Sequence, residues 1–429
     1  MSARQYDIDV IGGSLSARIA AALLAKSGQR VLFVRQREAT APTWFHSSLF
    51  LQNLLGLLGG RSCFAAPQPF QVISEKARIT LHPDIPLEEE LQREFGPASP
   101  KALQILDTLH RLGTQLENAL WRNGGLPWPS LASRARFKVL CARSKLKTGQ
   151  IHSPVTALFR NLADPARQLL NDLFQGLAMA PLDQISQAEA AMLWTQVMRP
   201  EHLKEPDFSQ LLSKRFDQFH GAKDDLEQLA DLQREGRRWT GGHFKGGGRF
   251  TATTFLLGDR RWLSHFGHLR TNLPEADHLF HLPLGDLTSQ ISPLLESRVI
   301  CGGPTPLRLT INTLNDRQHG QIDGYGPLDP ILLQKQLEPV LPFARYQLPP
   351  ASSETVAKDG DSSCPVFSNP PLALADNLYL ADSTTLFPGL GAAGAALLGS
   401  TLYRQVVKKD PTKTSHTNAG SSKHLDRHL

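Results

Sequence analysis

The chain has no uninterrupted run of about 18 apolar residues, so hydropathy excludes a membrane-crossing helix. Cysteine is scarce. Cys63, Cys141, Cys301 and Cys364 lie far apart with no Cys-x-x-Cys pair, which argues against a disulfide framework or a zinc site and for reduced, buried thiols. Net charge is small for the length, 46 basic against 40 acidic side chains for +6. The first apolar stretch is broken by Asp7 and Asp9 and has no signal-peptide layout, so a cytoplasmic location is expected.

With 429 residues, 41% of them hydrophobic and 20% charged, the chain has the composition of a globular protein of roughly two or three domains. Its basic residues crowd into one place, "RARFKVLCARSKLK" at 134–147. That run reads as a solvated basic face or as a contact for an anionic membrane surface or an acidic partner. Aromatic side chains are too sparsely interleaved for a nucleic-acid surface.

Residues 6–34, "YDIDVIGGSLSARIAAALLAKSGQRVLFV", predict a strand–helix–strand opening. Ile8, Val10 and Ile11 form a short apolar strand, Gly12 and Gly13 a turn, and Ala17–Lys26 an Ala/Leu-rich helix stopped at Gly28, before a second strand at Val31–Val34. A glycine turn in this setting delivers a dinucleotide diphosphate to a helix N-terminus. The fingerprint positions are Gly12, Gly13, Ser14, Leu15, Ser16 and Ala17, with Ser14 in place of the second glycine and Ala17 in place of the third. The second strand ends in Arg35 rather than in the acid that would accept the ribose hydroxyls; Arg35 would suit a ribose phosphate, mark a weakened site or simply be solvated.

Further along, an amphipathic helix at Phe208–Phe219 is followed by short segments near Leu226–Gln233, Arg238–Phe244 and Arg249–Leu257. Turn signals at this spacing predict a three-stranded antiparallel meander, with Gly246–Gly248 as a hairpin turn rather than a phosphate loop. Helices are expected at Pro100–Arg122, Pro154–Phe174 and Pro327–Val340, mixed short strands and helical turns over Arg261–Asn312, and a connector at Pro349–Pro371. His265, His268, His278 and His281 are spaced HxxH-x9-HxxH, but apolar residues alternate among them and no cysteine or carboxylate pair completes a metal pattern, so no metal is expected. The polar tail, residues 408–429, reads as disordered.

The last informative stretch is "ADSTTLFPGLGAAGAALLGSTL", 381–402, a polar cluster and a Pro-Gly turn leading into a helix of Gly, Ala, Ser, Thr and Leu. Together, residues 6–34, 208–258 and 377–407 resemble the FAD-dependent oxidoreductases of the amine oxidase and phytoene desaturase type. The resemblance implies an α/β fold: a discontinuous Rossmann-like FAD/NAD(P)-binding domain with a three-stranded meander (1–60, 205–258 and 365–407), plus an inserted mixed α+β substrate domain (61–204 and 259–364). It implies that Gly12–Ala17 face the diphosphate, that Leu229 contacts the adenine through its backbone, and that Asp382 binds the ribityl chain. Gly389, Gly391 and Ala392 would face the flavin ring, where the helix dipole stabilises charge on reduced flavin.

The sequence departs from that pattern at Arg35, where the family has glutamate. It also lacks the Gly-Gly-Arg segment after the second strand, and Ala381 replaces the glycine before Asp382. The expected function is removal of hydride from a bulky, largely apolar small molecule, such as an isoprenoid or amine, with FAD as cofactor and no catalytic side chain nominated. Two alternatives stand beside it: a non-catalytic relative serving as a binding or assembly subunit, and an NADP-dependent enzyme using Arg35.

Overall fold

The computed structural model describes residues 3–35, 47–66, 68–82, 84–128, 130–199, 201–259, 262, 279–287, 291–314, 316–326, 329–342, 367, 370 and 372–409. Its centre is a five-stranded, all-parallel sheet in the order Leu378–Leu380, Thr254–Leu257, Ile8–Ile11, Val31–Arg35, Ala222–Asp225. All three distant sequence segments therefore contribute strands to one sheet. Parallel strands need coverage on both faces. One face carries the helix Leu15–Lys26 and the terminal helix Gly391–Lys409, packed on each other. Small residues permit that approach, since a Cβ on Gly399 would lie 2.7 Å from Ile19 Cγ2 and 3.0 Å from the Ser16 carbonyl. The helix Leu49–Leu58 packs on the terminal helix in turn.

The other face is covered by the meander, whose inward side chains Leu229, Leu232, Trp239 and Phe250 meet Ile11, Leu32, Val34, Phe255 and Leu257. The middle strand, Arg238–Phe244, falls where expected, and the first starts at Leu229 after a single 3₁₀ turn. The third expected segment is two strands. Arg249–Thr251 completes the meander, whereas Thr254–Leu257 crosses into the parallel sheet beside Ile8–Ile11. A strand at Arg4–Gln5 extends the meander to four strands. The glycine triplet is a hairpin turn, with Gly247 at φ +83° and Phe244 N–H donating to Gly248 O.

A six-stranded sheet is built from Phe70–Ile73, Arg78–Leu81, Leu279–Asp286, Arg298–Cys301, Leu307–Leu314 and Arg317–Tyr325. One face is apolar, with Phe280, Leu282, Val299, Leu309 and Ile322 packed against the helix Pro330–Leu337. Long helices surround it. Ser99–Asn123 matches its expectation, but the expected Pro154–Phe174 helix is broken into Thr156–Phe159 and Ala166–Ala178, as Pro165 ends the helical hydrogen bonding between them. The amphipathic helix begins earlier than expected, at Glu205, because Pro206 suits a helical first turn. Cys63, Cys141 and Cys301 are buried free thiols, while Cys364, most of the 349–371 connector and the 410–429 tail lie outside the described residues.

Candidate dinucleotide site

The two turns singled out in the sequence meet at the C-terminal ends of the parallel strands, where such sheets bind ligands. Gly12 sits at φ +105°, and a Cβ there would come within 2.8 Å of Asp259 N, so only glycine fits this corner. Ala17 takes the place of the third fingerprint glycine because Gly258, on the adjacent strand's exit, supplies the missing space: a Cβ on Gly258 would lie 2.5 Å from Ala17 Cβ. Nothing local to residues 12–17 signals that compensation.

The helix N-terminus is capped from within. Ser14 is the N-cap, and its Oγ accepts from Ala17 N–H at 3.2 Å and donates to Ala381 O at 2.7 Å. Ser16 Oγ donates to the same carbonyl at 2.5 Å and accepts from Ser383 N–H at 3.0 Å. Ser14 N–H itself donates to Gly258 O. The two serines thus bind the fingerprint turn to the terminal turn. Gly13 and Leu15, in the same turn, are half-buried.

Asp382 is also turned inward. It caps the short helix Ser383–Leu386, accepting from Thr384 N–H at 3.0 Å, Thr384 Oγ1 at 2.6 Å and Thr385 Oγ1 at 3.1 Å. Burial raises its pKa and the nearby Asp259 charge adds to the rise, while the threonine bonds oppose it. Gly391 adopts φ +50° at the start of the terminal helix, and Ala392 is fully buried. Gly389 packs against the Leu177 carbonyl and Ala178 backbone at the end of the helix Ala166–Ala178, which a side chain there would strike.

Arg35 is exposed at the end of its strand, in register with Asp225. It borders a shallow pocket with Arg18, Phe33, Phe216 and Lys223. Leu229 is buried beneath the meander, and its backbone opens that strand opposite Phe244. Asn377, which sequence reasoning missed, ties these parts together. Its side chain accepts from Trp239 N–H at 2.9 Å and donates to Trp239 O at 2.8 Å and Thr253 O at 2.9 Å, joining the meander to the terminal strand.

A polar row on the six-stranded sheet was also invisible in the sequence. In cross-strand register stand His281, Asp323, Arg308 and Ile300. His281 Nδ1 is 2.7 Å from Asp323 Oδ1, and Gln321 Nε2 donates to the same oxygen at 2.8 Å. Asp323 is buried and half of His281 is exposed. Arg308, buried beside Asp323, donates from Nε to Gly176 O at 2.6 Å and from a terminal nitrogen to Leu177 O. Burial pulls its pKa down to about 10, with Asp323 opposing. The row therefore runs from a half-exposed imidazole to the helix end on which Gly389 rests. His265, His268 and His278 lie outside the described residues, and among the described residues no three His, Cys, Asp or Glu side chains cluster as metal ligands.

No family model matches the chain, and no curated protein matches it in sequence. Solved structures do match in fold. A putrescine oxidase variant redesigned in its cofactor binding superposes with TM-score 0.61 at 12% identity, over 95% of this chain and 100% of that one. Cyclohexylamine oxidase from Brevibacterium oxydans IH-35A gives 0.57 at 13%, over 94% and 99%. An oxidoreductase from Methanosarcina mazei gives 0.56 at 12%, over 91% and 98%. The chain thus has the fold of the flavin-dependent amine oxidases and their oxidoreductase relatives, as the three motif segments imply.

Proposed function

We propose that the chain is an FAD-dependent oxidoreductase that removes hydride from a bulky small molecule with an apolar body and an amine-type polar group. The observation that carries this reading is the convergence of the Gly12 turn, the meander and the Asp382–Gly391 turn at one edge of the parallel sheet. It agrees with the amine oxidation carried out by the putrescine and cyclohexylamine oxidases that share the fold. The frame fits a dinucleotide: Gly12 makes the tight turn, Gly258 lets the helix approach the strand, and the N-terminus of Leu15–Lys26 faces the terminal turn. Gly12–Ser16 would hold the diphosphate, Asp382 the ribityl chain, and Gly389–Ala392 the ring. Bound flavin supplies a hydride acceptor. The protein's own part is then to position the substrate and receive the proton that an amine loses on oxidation. His281 Nε2 is suited to that proton, with Asp323 fixing the ring from Nδ1 and Arg308 neutralising Asp323. The amine-type group is favoured over an isoprenoid by this polar row.

Titration of the purified protein with FAD, followed by absorbance and flavin fluorescence, tests the reading. Saturable binding with a perturbed flavin spectrum is expected. A folded protein that stays colourless at saturating FAD would overturn it.

That second outcome belongs to the non-catalytic alternative, a binding or assembly subunit. One observation favours it specifically: Ser14, Ser16 and Asp382 direct their polar atoms to the chain's own backbone and threonines. Selective binding of NADPH that is lost on Arg35→Glu would instead support the nicotinamide reading.

A further inference from the structure

The helix Leu131–Arg143 belongs to none of the elements above. Phe137 and Cys141, one turn apart, are buried and pin one side of it to the protein. At 100° per residue, Leu131, Ala135, Val139 and Ala142 line up on the far side. All four are exposed, Leu131 to 83% and Val139 to 51%, and both rank among the few large apolar side chains left in water. Lys138 flanks this stripe on one edge and Arg136 and Arg143 on the other, and exposed Lys145 and Lys147 follow the helix. Residues 131–147 contain six cations and no acid, a charge equal to the net charge of the whole chain. None of the five exposed cations forms an ion pair among the described residues; Arg136 reaches only the Arg122 carbonyl, at 3.5 Å.

We propose that this helix is a membrane-surface element, lying in the plane of an anionic bilayer with Leu131, Ala135, Val139 and Ala142 among the acyl chains and the flanking cations on lipid headgroups. Two properties must coincide for that occupant, and both are present. A solvated basic face has no reason to expose an aligned apolar stripe between its charges, and an apolar protein contact has no reason to ring it with cations alone. The stripe is narrow, with two large apolar side chains, Leu131 and Val139, and two alanines. Such a surface suits a fluid interface better than a protein groove, and the unpaired cations complement anionic headgroups. No helix among the described residues is long and apolar enough to cross the bilayer. This inference stands whether or not the chain binds flavin.

The test is co-flotation of the full chain with phosphatidylcholine vesicles, with and without about 30% phosphatidylglycerol. Binding should be at least about tenfold stronger with the anionic lipid and should fall steeply in about 0.5 M salt. A Leu131→Glu, Val139→Glu variant should lose at least about tenfold of the binding with an unchanged melting temperature, because neither side chain packs in the core. Equal binding to neutral vesicles, or none to either, would overturn the proposal. So would undiminished binding by the double variant, which would mean that charge alone holds the surface. Equally strong binding to poly-glutamate, insensitive to the double variant, would assign the face to an acidic polypeptide and overturn it as well.

Discussion

The two sheets use polar residues in opposite ways. In the parallel sheet they sit at the strand ends and close on themselves: Ser14 and Ser16 on Ala381, Asp382 on Thr384 and Thr385. In the six-stranded sheet they cross the strands as one row, ending in a half-exposed imidazole. A ligand site needs polar groups that are held yet still have hydrogen-bonding capacity left over. By that measure the six-stranded sheet keeps hydrogen-bonding capacity at His281, whereas Ser14, Ser16 and Asp382 at the ends of the parallel strands already spend theirs on the chain. The comparison accounts for a chain that keeps the oxidase fold while departing from the fingerprint at Ser14, Arg35 and Ala381.

The largest expected effect breaks the row. Arg308→Met would strip the cation from buried Asp323 and two donors from the end of the helix Ala166–Ala178. Leaving two buried carbonyls without their donor costs about 1–3 kcal/mol each, measurable by urea unfolding. An Arg308→Met, Asp323→Asn variant should recover part of the loss, because the uncompensated charge is then gone. Full additivity of the two changes would mean that the row is not a unit.

A second prediction concerns a buried carboxylate in the parallel sheet that has not closed on the chain. Asp9 shares a strand face with Ile11, is fully buried, and neither carboxylate oxygen has a hydrogen-bond partner. Burial raises its pKa well above the ordinary value. The native state therefore holds the Asp9 proton to higher pH than the unfolded chain does. Stability from this site is complete below about pH 4 and declines as pH rises towards the raised native value. Asp9→Val should stabilise the protein by about 1–3 kcal/mol at neutral pH. Its advantage over the wild type should shrink as pH falls to about 4; an advantage independent of pH would contradict the assignment.

Much of the first sheet was legible because its signals are local. The Gly12 turn, the Ala/Leu helix, the Gly246–Gly248 hairpin and the small-residue terminal helix each announce themselves within about ten residues. The sequence reading failed where partners are distant. The segment Arg249–Leu257 looked like one strand because its apolar pattern runs through the crossing at Ala252. Gly258 compensates Ala17 from about 240 residues away, and Asn377 fastens a meander more than a hundred residues upstream. His281, Asp323 and Arg308 fall on three strands, so no spacing within the chain marks them. Asp382 was singled out by its place in the terminal motif as a ribityl-binding residue, but its inward bonds depend on Thr384 and Thr385, to which no role was given.

The fingerprint turn keeps its frame while the Ser14 and Ala17 amides, the hydroxyls of Ser14 and Ser16 and the Asp382 carboxylate are spent on the chain itself. Ser14→Gly tests this most directly, since glycine is nearly as good an N-cap and leaves the fold standing. It frees the Ala17 amide and clears the path of a diphosphate. Measured by flavin fluorescence titration, the variant should bind FAD at least about tenfold more tightly than the wild type, the worth of roughly one released hydrogen bond. Affinity that is unchanged or weaker in a folded Ser14→Gly protein would contradict the account.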